Sequence, residues 1–233
     1  MKKVRVEAST KKDRTSEIFG NPMSKKVIRK AQKSKQKNQK KYGDDSKVNY
    51  QCIIRDNPCI GEPLGVKNVV VTRKEGKGSF DEEKGVIVGN IRMGFGHYRI
   101  SMAIASAAHA LGYTPYWMDL NSYPETTCTK LISAQNELYS LGSRISQKSK
   151  LFNKFVWEPV NYEGFRQLSY NAADQKNAEL MAPVYHSVPK NIPVIATHVW
   201  PAQAAVHAGM KHVVNAIPDN WPMALHYAQG SLH

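Results

Sequence analysis

The stretch GVIVGNIRMGFGHYRISMAIASAAHALG (85–112) decides the fold that the sequence predicts. Its first six residues form a short apolar β-branched run, which is typical of a strand buried on both faces of a parallel sheet. A glycine-bearing turn follows. From His97, apolar residues recur at helical spacing up to Gly112, which stands where a helix C-terminus favours glycine. YTPYWMDL (113–120) is predicted to be the next strand. The pattern indicates a strand–loop–helix–strand unit with a right-handed crossover.

Two further strands are predicted nearer the C-terminus, in NIPVIATH (191–198) and KHVVNAIPDNW (211–221). We therefore predict an α/β fold with a Rossmann-like, doubly wound parallel sheet. In such sheets ligands bind outside the carboxyl ends of the strands. The polar residues that follow the predicted strands, and that we expect along one rim, are His97, Asp119, His198 and Asp219. Two other interpretations are equally good: His198 is a hydrogen-bonded loop histidine, and Asp219 forms a turn after Pro218.

The turn between the first strand and its helix carries two glycines, Gly94 and Gly96, on either side of Phe95. Missing Cβ atoms allow unusual backbone dihedrals and close approach of a ligand, and N–H groups at a helix start suit an anion or a hydroxyl. The turn matches neither of two common nucleotide-binding motifs. Phe95 stands where a Walker loop needs lysine, and Arg99 stands in place of the third glycine of the dinucleotide-binding fingerprint. The alternatives are a tight turn without a ligand and, for His97, a capping or packing role instead of a general base.

Positive charge is concentrated at the N-terminus. The chain has a formal net charge of +14, and residues 1–50 hold 16 Lys+Arg against 5 Asp+Glu. Because residues 25–47 are nearly devoid of large apolar residues, we predict a basic tail that is disordered or transiently helical. Such a tail attracts an anionic membrane surface or, with less support from the sequence, nucleic acid. A solvated extension without a partner is the alternative. Residues 51–84 are predicted to be a linker with one edge strand or hairpin arm in VKNVVVTR (66–73).

Several protein classes are disfavoured by what the sequence lacks. It has no apolar run long enough for a transmembrane helix and no apolar stretch after its first charges, so we expect a cytoplasmic protein, peripheral on the inner face of the membrane if it contacts one. Three cysteines are too few for a disulfide scaffold. The histidines show no zinc-binding spacing, so no metal site is predicted. The absence of a G-x-S-x-G elbow argues against an α/β-hydrolase.

From about Gly85 to the C-terminus, the order of these pieces resembles the N-terminal domain of monogalactosyldiacylglycerol synthase-like glycosyltransferases of the GT-B group. That family opens with a strand and a glycine-rich loop ending in Gly-His before an alanine-rich helix, as residues 85–112 do. The later pieces that look similar are MDLNSYP (118–124), THVWPAQAAVHAG (197–209) and VVNAIPDNWPMALHYA (213–228). The chain departs from the family where Phe95 interrupts the glycines and where the His-Pro pair is opened to His198-Val-Trp-Pro201.

The resemblance implies an inverting, metal-independent transfer of a hexose from a UDP-sugar donor to the hydroxyl of a lipid or other acceptor, without a further cofactor. It implies His97 or Asp219 as the catalytic base. The residues it implies for substrate binding are Gly94, Phe95, Gly96, Asp119 and His198. Residues 85–233 then correspond to the acceptor-binding domain, and a C-terminal donor domain is expected to be encoded downstream, in some reading frame, or by a neighbouring gene. A non-catalytic Rossmann-like module, tethered to an anionic membrane or nucleic acid by its tail, is the alternative function.

Overall fold

A computed structural model describes residues 13–74, 76 and 79–233. The strands are β1 (Glu17–Ile18), β2 (Asn21–Pro22), β3 (Gln51–Asp56), β4 (Lys67–Thr72), β5 (Gly85–Asn90), β6 (Thr114–Asp119), β7 (Val194–Ala196) and β8 (Val213–Asn215). The α-helices are α1 (Lys25–Tyr42), α2 (Gly61–Leu64), α3 (Phe95–Ala110), α4 (Thr127–Lys148), α5 (Lys150–Phe152), α6 (Leu168–Ala178) and α7 (Val199–His207). Short 3₁₀ turns occupy Ala182–Tyr185 and Ala224–His226, and π-helical turns occupy Asn153–Trp157 and Val160–Gly164.

Six strands form one mostly parallel sheet in the order β3-β4-β6-β5-β7-β8, in which only the β3–β4 pair is antiparallel. The predicted α/β fold class is confirmed, because helices flank this sheet. The strand predicted in residues 85–90 is β5, and all six of its residues are buried. It lies between β6 and β7, with Val88 opposite both Trp117 and Ile195. A strand enclosed on both faces and both edges requires the continuous apolar run that the sequence shows.

The chain changes direction across the sheet at β5. From β5 it passes through α3 to β6 on one side, whereas the later strands β7 and β8 add to the other side. At such a reversal the loops that leave neighbouring strands diverge and open a crevice outside the carboxyl ends of the strands. The loop after β5 leads to His97, and β7 is followed by His198. The topology therefore directs these two histidines to one crevice.

The two faces of the sheet bury unequal cores. On one face α3 covers a small cluster that includes Val88, Ala105 and Trp117. On the other face α4, α7 and the turn at Ala182–Tyr185 cover the main core, to which Ile87 of β5 contributes. Gly89 also faces the main core, where an added Cβ would lie 3.2 Å from the hydroxyl of Tyr185. Small residues in β5 thus allow the helical layer to approach the sheet closely.

Within the predicted tail, residues 25–42 form helix α1, which packs on the rest of the fold; the first twelve residues lie outside the described part of the chain. The Ser24 hydroxyl caps the helix by accepting a hydrogen bond from the Val27 N–H, and Gly43 ends it. The segment lacks large apolar residues, which is the pattern that predicts a disordered or transiently helical tail. Its docking onto α6 instead uses a buried alanine, Ala31, and polar contacts such as the 2.9 Å hydrogen bond from Asn38 Nδ2 to Asn177 Oδ1.

Residues 51–84 contribute more to the fold than the predicted linker. They supply both strands of the antiparallel β3–β4 pair, and the predicted hairpin arm at 66–73 is β4, one position in from the sheet edge. Between α4 and α6, residues 150–164 form a short helix and two π-helical turns.

None of the described helices is long and apolar enough to cross a lipid bilayer.

Candidate active site

A cavity of about 1290 Å³ opens at the carboxyl end of the sheet, between α1, α4, α6 and the turns of residues 153–164. We call it the central cavity. Among the side chains that line it are three histidines, two aspartates and a buried tryptophan: His97, His198, His226, Asp174, Asp219 and Trp200. Three of the four residues predicted to share one rim, His97, His198 and Asp219, therefore come together. Its size is above the usual range for small-molecule pockets, so it has room for a substrate larger than a single sugar.

The first turn of α3 holds His97 in one tautomer. Its Nδ1 lies 2.6 Å from the backbone carbonyl oxygen of Thr197, at the end of β7. A carbonyl oxygen only accepts hydrogen bonds, so Nδ1 must carry a proton, and in the neutral ring the lone pair is at Nε2. Ser101 fixes the same turn, because its hydroxyl donates to the His97 carbonyl and lies 2.8 Å from Thr197 Oγ1. The ring is therefore oriented as a proton acceptor at Nε2.

Next to this ring, His198 begins helix α7. Its Nδ1 accepts a hydrogen bond of 3.2 Å from the Trp200 N–H, so its Nε2 carries the proton in the neutral ring. The ring centroids of His97 and His198 are 5.0 Å apart. Burial, with a further contribution from His97 and His226, lowers the pKa of His198 well below its ordinary value. His198 is therefore a neutral hydrogen-bond donor at physiological pH and not a cation.

Asp219 pairs with a histidine that the sequence analysis did not select. Its Oδ2 lies 3.6 Å from Nε2 of His226, whose Nδ1 accepts a hydrogen bond of 2.9 Å from the Met223 N–H. Burial lowers the pKa of His226, and the neighbouring Asp219 partly offsets this. The carboxyl and the imidazole thus lie within ion-pair distance of each other at the cavity wall.

The turn that carries His226 is held by two buried asparagines. Asn171 of α6 donates to the carbonyl oxygens of Ala224 (2.6 Å) and Tyr227 (2.8 Å). Asn215, at the end of β8, donates to the carbonyl oxygen of His226 at 2.7 Å. No motif in the sequence identifies His226. This residue does lie seven residues after Asp219, within VVNAIPDNWPMALHYA (213–228), one of the segments that resemble the glycosyltransferase family.

A buried carboxyl, Asp174 of α6, is the second lining residue that the sequence analysis missed. It accepts a hydrogen bond of 3.4 Å from Trp200 Nε1 and is only 7% exposed. Burial raises its pKa to about 7, although the hydrogen bond from Trp200 acts in the opposite direction. Asp174 can therefore exchange a proton near neutral pH. Its surroundings in the sequence, NAADQKN, gave no sign of this because burial arises from tertiary packing.

The structure does not include Asp119 among the residues that line the central cavity. Its Oδ2 forms a 2.8 Å ion pair with Nε of Arg92 and accepts from the Ser122 hydroxyl, while Oδ1 accepts from the Asn121 N–H. Arg92 lies in the loop after β5, so Asp119 joins the loops that leave the two neighbouring strands. The contacts of Asp119 in the structure therefore hold these two loops together.

The glycine loop has the predicted position before α3, but Gly94, Phe95 and Gly96 are not among the residues that line the central cavity. Gly94, the helix N-cap, has φ 77° and ψ 175°, a region that is nearly restricted to glycine. Phe95 is 80% exposed. A Cβ added at Gly94 or Gly96 would meet no atom within 4 Å. Packing against the protein therefore does not require glycine at either position, whereas the backbone conformation requires it at Gly94.

This difference gives a paired test of whether a ligand approaches the loop. Gly94→Ala should lower the free energy of unfolding by about 1–3 kcal/mol because of its dihedrals. Gly96→Ala should raise the free energy of unfolding by up to about 1 kcal/mol, because Gly96 lies in helix α3 and its added Cβ enters open space. If a ligand contacts the backbone here, Gly96→Ala will weaken its binding although the melting temperature does not fall. Unchanged binding by the folded Gly96→Ala variant would assign the loop to the turn alone.

The donor set of the cavity suits proton transfer and hydrogen bonding. Across the described part of the chain, no group of three or more His, Cys, Asp or Glu side chains has a geometry suited to holding a metal ion. The cavity instead combines an imidazole with a free Nε2, a neutral imidazole donor, and a carboxyl with a pKa of about 7. Such a set can accept a proton from a hydroxyl and orient polar groups around it.

A family model described as "Domain of unknown function (DUF6937)" matches residues 17–233. The chain belongs to the DUF6937 family. The DUF6937 match includes α1 and the β3–β4 pair, which the sequence analysis had set apart as tail and linker. No curated protein and no solved structure matches the chain. Family membership thus extends over both the sheet and the helix that borders the cavity, and it leaves the reaction to be inferred from the site.

Proposed function

We propose that this DUF6937 protein is a glycosyltransferase of which the described residues form the acceptor-binding part, and that His97 is its catalytic base. The observation that carries the proposal is the hydrogen bond from His97 Nδ1 to the Thr197 carbonyl oxygen, which places the lone pair of the neutral, cavity-lining imidazole at Nε2. A base for sugar transfer needs this free lone pair close to the acceptor hydroxyl.

In the proposed step, Nε2 of His97 removes the proton from the acceptor hydroxyl. The acceptor oxygen forms a bond to the anomeric carbon as the bond between that carbon and the β-phosphate oxygen of UDP breaks. UDP leaves with the electron pair, and a single displacement inverts the anomeric configuration. The protonated ring retains its hydrogen bond to the Thr197 carbonyl, so the charge develops on an imidazole that is already oriented.

The other walls of the cavity suit a sugar or lipid acceptor. Aromatic side chains, including Trp157, Tyr162 and Trp221, line its outer part. Aromatic rings pack against the apolar faces of sugars and against acyl chains while their polar atoms stay hydrated. Neutral His198 can donate a hydrogen bond to a hydroxyl group from its Nε2. The carboxyl oxygens of Asp174 and Asp219 can accept hydrogen bonds from hydroxyl groups. The UDP-sugar is expected to be held mainly by a donor-binding domain, in the same or another polypeptide.

The proposal is tested by transfer assays with the product of the complete gene and, where one is encoded nearby, the neighbouring donor-domain protein. Labelled UDP-glucose, UDP-galactose and UDP-N-acetylglucosamine are each supplied with dispersed diacylglycerol. We expect label in the lipid fraction with at least one donor, and a β-linked product from the α-linked nucleotide. Retained configuration in the product, or no labelled lipid with any donor from folded protein, would contradict the proposal. The second outcome is the one expected of a non-catalytic binding module.

A further inference from the structure

The exposed side of α1 carries an unusual concentration of positive charge. At 3.6 residues per turn, eight of its basic residues fall within an arc of about 160° around the helix axis. We call this set the basic arc: Lys25, Lys26, Arg29, Lys30, Lys33, Lys37, Lys40 and Lys41. All eight are exposed, and α1 contains no acidic residue. The arc runs along the whole helix, a length of about 27 Å.

The basic arc is fixed relative to the rest of the molecule. The opposite side of α1 packs on α6, with Ala31 buried and Lys35 Nζ 2.6 Å from Glu179 Oε2. Ser34 and Asn38 lie between the packed side and the basic arc, and both line the central cavity. Lys30 and Lys37 are one helical turn from Ser34, so the arc borders the cavity. The charge therefore forms a rigid surface beside the proposed acceptor site.

The chain also exposes a set of large apolar side chains, three of which, Leu138, Val160 and Trp221, line the same cavity. We call them the apolar patch: Leu138, Leu141, Ile145, Leu151, Phe155, Val156, Val160 and Trp221. Leu151 and Phe155 are 72% and 68% exposed. Exposed basic residues, among them Lys148, Lys150 and Lys154, are interspersed with them along the chain. Soluble surfaces seldom expose so many large apolar groups close together unless they bind something.

We propose that the basic arc and the apolar patch together dock the central cavity onto an anionic lipid bilayer. The basic residues complement the negative charge of lipid headgroups, and the aliphatic side chains enter the boundary between headgroups and acyl chains. Nucleic acid would also attract the basic arc, but it offers no apolar medium for the leucine, isoleucine and valine side chains of the patch. The combination at one cavity opening favours the bilayer. This inference depends on the surface alone and does not require the proposed sugar transfer.

The test measures retention of the purified chain on vesicles of phosphatidylcholine alone and of an equimolar mixture of phosphatidylcholine and phosphatidylglycerol. One variant replaces Lys30, Lys33 and Lys37 of the basic arc with glutamine. The control makes the same change at the exposed Lys67, Lys84 and Lys211, which lie at the amino ends of β4, β5 and β8, away from the cavity. A third variant combines Leu151→Ser and Phe155→Ser. Deleting residues 1–50 is avoided because it would remove the packed helix α1.

We expect retention only on the anionic vesicles, decreasing as salt is added. The basic-arc variant should bind at least about tenfold more weakly, whereas the control with the same net charge should bind like the unaltered chain. The Leu151→Ser/Phe155→Ser variant should also lose affinity while its melting temperature is unchanged. Equal losses for both lysine variants, or no loss for the apolar variant, would overturn the proposal. Preference for a duplex oligonucleotide over the vesicles at the same salt would overturn it in favour of a nucleic-acid surface.

Discussion

Replacing His97 with asparagine should lower the turnover number for sugar transfer at least ~100-fold, the usual scale for the loss of a general base. Asparagine is the informative substitution because its amide can still donate a hydrogen bond to the Thr197 carbonyl oxygen, as Nδ1 of the histidine does. The start of α3 therefore keeps its anchor while the proton acceptor at Nε2 is lost. The comparison requires initial rates at saturating donor and acceptor, together with melting temperatures.

The control for this prediction is the corresponding change at His109, an exposed histidine at the other end of the same helix. His109→Asn should transfer sugar at the unaltered rate. If His97→Asn retains near-normal turnover with an unchanged melting temperature, His97 only anchors the helix, and the base must be sought elsewhere. Asp219, the other candidate from the sequence, would then be the next residue to substitute.

Asp174→Asn should abolish a pH dependence of stability that the buried carboxyl creates. In the unfolded chain this carboxyl has an ordinary pKa of 3.8, and burial raises it to about 7 in the folded protein. Between these two values the folded state holds a proton that the unfolded state has released, so stability falls as pH rises. The full effect of a shift of this size is roughly 4 kcal/mol. Asparagine has no proton to exchange and can still accept from the Trp200 indole.

The measurement is urea unfolding of both proteins at intervals from pH 4 to pH 8. Near pH 4 the two should have similar free energies of unfolding, and the variant should become progressively more stable than the unaltered protein up to about pH 7. Taking the difference between the two proteins cancels the histidines that titrate in the same range, including His207. A difference that stays flat across the range would mean that Asp174 is not protonated in the folded state.

The sequence predicted the centre of the fold well because the relevant signals are local. The apolar run of β5, the glycine turn and the periodic helix α3 lie in one continuous stretch, and each requires only its own neighbours to be recognised. Parallel strands have their carboxyl ends at the same edge of the sheet, so residues that follow these strands are predicted to lie close together. His97, His198 and Asp219 do line one cavity. These features follow from periodicity and topology.

What the sequence did not predict depends on contacts between distant segments. Helix α1 lacks large apolar residues, and its place was set by Ala31 and by hydrogen bonds to α6, more than a hundred residues later. The burial of Asp174 results from the packing of α6 and α7 and leaves no local pattern. Asp119 had the predicted position at a strand end, but Arg92 from the neighbouring loop engages its carboxylate. Pairings of this kind cannot be derived from spacing along the chain.

The most direct test of the account is a crystal structure of the protein with a hydroxylated acceptor such as a short-chain diacylglycerol. We predict that the acceptor occupies the central cavity with its free hydroxyl oxygen within hydrogen-bond distance of His97 Nε2, about 2.6–3.2 Å. Density for the acceptor at another surface, or in the cavity with its hydroxyl turned away from His97, would contradict the assignment of this imidazole as the base.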